Sequence, residues 1–113
     1  MHELSIAANI IEIVEEFAQS HKATRINKVE LIVGKLSGVV RDSLEFALEF
    51  AVKDTILEDA EILIEEVDGK SKCNLCKTEF VNNDWYTACP ACSSMDSDIL
   101  EGKELKVKSI FFD

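Results

Sequence analysis

The chain has 113 residues, nearly half of them apolar, enough for one compact domain and a small appendage held together by a bound ion. Twelve basic residues stand against twenty-two acidic ones, and a net charge of −10 argues against the phosphate-backbone contacts on which nucleic-acid binding rests. No apolar run is long enough to span a membrane and no leader-like pattern opens the chain, so a cytoplasmic protein with neither membrane span nor signal peptide is expected.

The chain opens Met1-His2-Glu3. The α-amine, the amide nitrogen of His2 and its imidazole lie within a few bonds of one another, so small chelate rings can close on one metal, and Glu3 adds a carboxylate. Nitrogen-rich sites of this kind favour Ni(II) or Cu(II), and an imidazole–carboxylate set also suits Zn(II). The plainer reading is a solvated terminal histidine and a carboxylate near the positive end of a helix.

From Leu4 to about Ser20 apolar residues follow a helical period. Leu4, Ala7, Ile10, Ile11, Val14, Phe17 and Ala18 share one arc, with Ser5, Asn9, Glu12 and Glu16 opposite. His21 follows, where a cation favours the negative helix end. Asn27 to Val33 alternates and reads as a strand that Gly34 and Gly38 end. A second helix is expected from about Ser43 to Lys53, with a capping box of Asp42 and Glu45 and an apolar stripe of Leu44, Ala47, Leu48 and Ala51. Glu49 and Lys53 stand at ion-pair spacing on its wet face. Ala60 to Val67 reads as an isoleucine-rich strand.

All four cysteines then fall in two tight pairs, Cys73-Asn74-Leu75-Cys76 and Cys89-Pro90-Ala91-Cys92, with twelve residues between the pairs. Two residues between ligands let one turn aim both sulfurs at a single ion, and the second pair completes a tetrahedron with no position left for water. The donor set suits zinc, or iron of the rubredoxin kind. Two disulfides are the alternative, which a cytoplasmic setting disfavours. From Lys70 to Gly102 three lysines face five acids, unlike the basic surface of a nucleic-acid-binding ribbon. Lys77 and Ser93 follow the pairs where zinc ribbons often carry glycine, so looser turns are expected. Trp85 and Tyr86 are expected to pack this small module.

Glu104 to Phe112 alternates again and reads as a last strand returning to the first sheet. The expected fold is α+β: two helices packed on one face of a small mixed sheet, with an inserted zinc-ribbon-like module. Residues 1–69 with 103–113 would form the first unit, and 70–102 the module inserted between two strands.

Taken together, Met1-His2-Glu3-Leu4-Ser5, the Val33-Gly34 strand end before Leu44-Glu45-Phe46-Ala47, and the two CxxC pairs resemble the HypA/HybF family of nickel metallochaperones for NiFe-hydrogenase maturation. The resemblance runs the whole chain in order and length. It implies nickel bound by Met1 (through its α-amine), His2 and Glu3, and a structural zinc on Cys73, Cys76, Cys89 and Cys92. It also implies a HypB-type GTPase partner and delivery to the hydrogenase large subunit, or with urease maturation proteins in some members, by a monomer or weak homodimer. Asp42 is a further candidate oxygen ligand. The residues admit two other classes. An acidic zinc-ribbon adaptor would leave the N-terminus incidental. An enzyme is disfavoured by a closed thiolate site and by the lack of a GxxxxGK[ST] loop or nucleophile motif.

Overall fold

The computed structural model describes residues 3–113. Eight elements run in order: α1 (Glu3–Ser20), β1 (Ile26–Gly34), α2 (Arg41–Ala51), β2 (Glu61–Val67), β3 (Lys70–Cys73), β4 (Glu79–Val81), β5 (Ser97–Glu101) and β6 (Leu105–Phe112). They build two three-stranded sheets, ordered β2-β1-β6 and β4-β3-β5. The first is mixed: β2 runs parallel to β1, and β6 antiparallel. The final strand thus returns beside β1, and the two-cysteine pairs lie in the excursion between β2 and β6.

Alternation in β1 explains the core. Val29, Leu31 and Val33 point to one face and are fully buried, while Lys28, Glu30 and Ile32 take the other. Onto the buried face α1 brings Ile6, Ala7, Ile10, Ile11, Val14 and Ala18, and α2 brings Leu44, Ala47 and Leu48. α1 lies toward β6, where Phe17 meets Phe112 edge to face at 5.3 Å. The loop after α2 sends Leu57, fully buried, into the same core.

Three sequence expectations need correction. Leu4 is 68% exposed, lining an open cleft with Phe46 and Phe50 of α2; Ile6 is the buried residue at this end of α1. The Asp42–Glu45 capping box does not form. α2 starts at Arg41 with Val40 as its N-cap, so Asp42 falls inside the first turn and no side chain caps the helix. Glu45 instead accepts from Arg41 Nε at 2.9 Å. Glu49 and Lys53 do not pair either: the helix ends at Ala51, and the Lys53 ammonium sits 4.9 Å from the centre of the Phe50 ring.

The two sheets meet at a close backbone crossing. Gly34 N–H donates to the Glu104 carbonyl at 2.7 Å, and Leu36 N–H to the Gly102 carbonyl at 2.7 Å. A Cβ on Gly34 would collide with the Gly102 carbonyl, and one on Gly69 with the Asn82 carbonyl. Glycine is required at both places by this approach. Leu36, only 2% exposed, plugs the crossing, and Lys35 bridges to Asp68 at 2.8 Å across its rim. The result is elongated, 54 × 24 × 17 Å, with a radius of gyration of 17.3 Å. A compact chain of this length would have about 13 Å.

Candidate metal centre

Both cysteine pairs sit in the same local turn. The Lys77 amide donates to the Cys73 carbonyl at 3.0 Å, and the Cys73 amide to the Thr78 carbonyl at 2.9 Å. The second turn repeats this, Ser93 to Cys89 at 2.8 Å and Cys89 to Ser94 at 2.9 Å. Each turn needs a left-handed residue after its second cysteine, and Lys77 and Ser93 both take φ 66°. The expectation of looser turns without glycine is therefore corrected. The closing hydrogen bonds hold a non-glycine residue there against roughly 1–2 kcal/mol of steric cost.

Opposed, the two turns bring all four sulfurs within 4.8 Å of one another. Cys73 Sγ lies 3.5 Å from Cys92 Sγ, and Cys76 Sγ 3.5 Å from Cys89 Sγ. These are free thiols, so the disulfide alternative is not what the geometry presents. A tetrahedral zinc with bonds of about 2.3 Å has sulfur–sulfur edges of about 3.8 Å, and the cluster matches that size. Cys73 and Cys89 are buried and Cys76 and Cys92 exposed. Around them the module has almost no core of its own, since only Phe80 joins the two buried cysteines.

Electrostatics make the same point. Thr78, through its hydroxyl 3.2 Å away and then its amide, favours the Cys76 thiolate and brings that thiol down to about 6. The Cys76 amide lowers Cys73 as well. Cys92 goes the other way. The Ser94 amide favours its thiolate, but Cys73, burial, Cys76 and Cys89 together outweigh it and push the thiol up to about 12. Four thiols this close do not all ionise unaided; a dication reconciles them. The residues present thus fit zinc, which Cys73, Cys76, Cys89 and Cys92 would hold, organising the two turns around one centre.

Other parts of the module tie the turns to the small sheet. Asn74 donates its amide N–H to the Asp96 carbonyl and its side-chain Nδ2–H to Asp96 Oδ1, both at 2.9 Å. Asn82 Nδ2 donates to Ser71 Oγ at 3.0 Å inside the sheet. Trp85 and Tyr86, expected as packing, are 54% and 84% exposed. They ride on a loop turned by Asp84, whose Oδ1 accepts from the Tyr86 amide at 2.8 Å. The Trp85 ring instead faces the Lys103 ammonium at 5.2 Å.

Of the expected nickel set only part is placed. Met1 and His2 lie outside the described residues. Glu3 begins α1 and lines a cleft of about 520 Å³ together with Asp42 from the first turn of α2. Two carboxylates, each near the positive end of a helix, thus share one opening. Leu4, Phe46 and Phe50 line the same cleft and are all more than half exposed. Sequence reasoning did not single out this apolar mouth. The signal was present: Phe46 and Phe50, four apart, fall outside the stripe of Leu44, Ala47, Leu48 and Ala51. His21 is far from any such cluster in role, its Nδ1–H donating to the Phe17 carbonyl at 3.0 Å in the last turn of α1.

Comparisons with known proteins agree over the full length. A family model described as hydrogenase/urease nickel incorporation, metallochaperone, hypA, matches residues 1–112. The hydrogenase maturation factor HypA of Parabacteroides distasonis is 47% identical over 110 residues, 97% of this chain and 96% of its own length. That of Geotalea uraniireducens is 42% identical over 110 residues, 97% of each chain. The solution structure of the Ni metallochaperone HypA from Helicobacter pylori superimposes with a TM-score of 0.70 at 26% identity, covering 99% of this chain and 97% of that one.

Proposed function

The chain belongs to the HypA family of nickel-incorporation metallochaperones, and from that premise we propose that it binds Ni(II) at its N-terminus and hands it to the large subunit of a NiFe-hydrogenase. The family is one of carriers rather than catalysts. The nickel donors in this reading are the Met1 α-amine, the His2 imidazole and the Glu3 carboxylate, with Asp42 as an additional oxygen donor. The observation that carries it is the cleft shared by Glu3 and Asp42, which sets two carboxylates beside the one chain end that begins Met-His-Glu.

A delivery site must bind and also release. A chain terminus with few protein ligands and an open cleft supports that, whereas a closed thiolate cage holds its ion too firmly to pass on. The four-cysteine centre is accordingly proposed as a resident structural zinc. Residues 70–102 form the unit it organises, and 1–69 with 103–113 the nickel-carrying unit. A HypB-type GTPase supplies the nucleotide hydrolysis this chain has no loop for, and some clients belong to urease maturation. Action in the cytoplasm fits thiols kept reduced; among the described residues no helix is long and apolar enough to cross a membrane.

The test is nickel titration by calorimetry on zinc-loaded protein, beside a version with one extra residue before Met1. The extension moves the α-amine and leaves the fold alone. One nickel bound by the wild type and none by the extended form is the expected result. Equal binding in both places the site elsewhere. Binding in neither leaves an acidic zinc-ribbon adaptor as the better account.

A further inference from the structure

Among the described residues, β2 bonds to β1 on one side and to no strand on the other. Alternate residues of this seven-residue strand therefore turn backbone N–H and C=O groups outward. A groove of about 790 Å³ runs along this edge. Register with β1 sorts its side chains. Ile62 and Ile64 take the helix-covered face, where Leu48 and Val52 of α2 also line the groove. Glu61, Leu63 and Glu65 take the open face with Glu30.

The charge around the groove is one-sided. Glu30, Glu45, Glu49 and Glu65 line it against Arg41 and Lys108. Both bases are already engaged: Arg41 with Glu45 at 2.9 Å and Glu66 at 3.4 Å, Lys108 with Glu65 at 3.3 Å. The edge carries no proline, lysine or arginine that would repel an incoming strand of basic character.

We propose that the free edge of β2 accepts an extended segment of a partner protein as an additional strand, bearing lysine or arginine beside Glu61 and Glu65 and valine or isoleucine at the alternate positions beside Ile62 and Ile64. Backbone pairing supplies affinity, and the alternation tells the acidic open face from the aliphatic helix-covered one. A second copy of this chain fits worse. Antiparallel self-pairing centred on Leu63 sets Glu61 opposite Glu65 twice, and each copy carries −10. The inference does not depend on where nickel binds.

The experiment uses zinc-loaded, isotope-labelled full chain titrated with a blocked peptide that alternates lysine and valine, followed by amide shifts and hydrogen exchange. Two controls carry the same composition: the alternating peptide with its backbone amides methylated, and a peptide with all lysines before all valines. The expected result is shifts and new exchange protection centred on β2. Affinity should fall roughly tenfold or more for both controls and for a Glu61→Lys/Glu65→Lys variant. Controls that bind as well as the alternating peptide would reduce the effect to bulk charge and overturn the proposal. So would shifts centred on Leu4, Phe46 and Phe50, or a chain that dimerises through β2 without peptide.

Discussion

Thr78 and Ser94 stand at equivalent places after the two cysteine pairs, yet Cys76 and Cys92 titrate in opposite directions. The Thr78 hydroxyl, 3.2 Å from Cys76 Sγ, has no counterpart at Cys92, where Cys73, burial, Cys76 and Cys89 outweigh the Ser94 amide. A group that favours the thiolate lowers proton affinity at that sulfur, and protons compete with a metal for thiolates. Thr78→Val should therefore raise the Cys76 thiol above its present value of about 6, and acid should displace zinc at a higher pH. The expected loss in zinc affinity near neutral pH is roughly tenfold, read from metal release to a chromogenic chelator across a pH series. Asp42→Asn makes the matching test at the cleft between α1 and α2. Asp42 makes no cap for α2, so helix content should hold while nickel affinity falls by about tenfold on calorimetry. Unchanged nickel affinity would remove Asp42 from the donor set.

At the scale of elements, the two sheets are held by different forces. The β2-β1-β6 sheet rests on a continuous core from α1 and α2, so its strands keep their pairing through apolar burial. The β4-β3-β5 sheet has Phe80 and two buried cysteines and little else. Four thiols converging there repel as they ionise, and a metal turns that repulsion into cohesion. Cys73→Ser should accordingly release the amides of β3, β4 and β5 to rapid hydrogen exchange while those of α1, β1 and α2 stay protected. An ordered, zinc-free β3 would show that backbone pairing alone sustains this sheet. The helix ends teach a related lesson. The Asp42–Glu45 spacing reads as a capping box, but Arg41 opens the helix two residues earlier and takes Glu45 for itself. A cap signal in sequence names a spacing; the packing of Leu44 against the core chooses the register.

For the whole molecule, the crossing at Gly34, Gly69 and Gly102 decides how the cysteine-bearing sheet is carried. Backbone passes backbone there with no room for a side chain, and Leu36 fills the space beside it. Gly34→Ala should cost about 3 kcal/mol, since the obstacle is a carbonyl that cannot swing aside. Denaturant unfolding of the zinc-loaded protein measures it. A loss under about 0.5 kcal/mol, the range of ordinary surface substitutions, would mean that the crossing yields easily.

Much of this molecule is legible along the chain because the forces are local. The period of α1, the alternation of β1 and β6, and the aim of each CxxC turn all arise within a few residues, where backbone geometry alone fixes which side chains share a face. That both cysteine pairs converge on one centre follows from their number and spacing. What tertiary structure decided lies between elements. Only packing puts Asp42 of α2 beside Glu3 of α1, leaves Leu4, Phe46 and Phe50 at the mouth of their cleft, and turns Trp85 and Tyr86 outward. The glycine crossing and the free edge of β2 belong to the same class. Each depends on which strand lies next to which, and side-chain periodicity carries no record of a strand's neighbours.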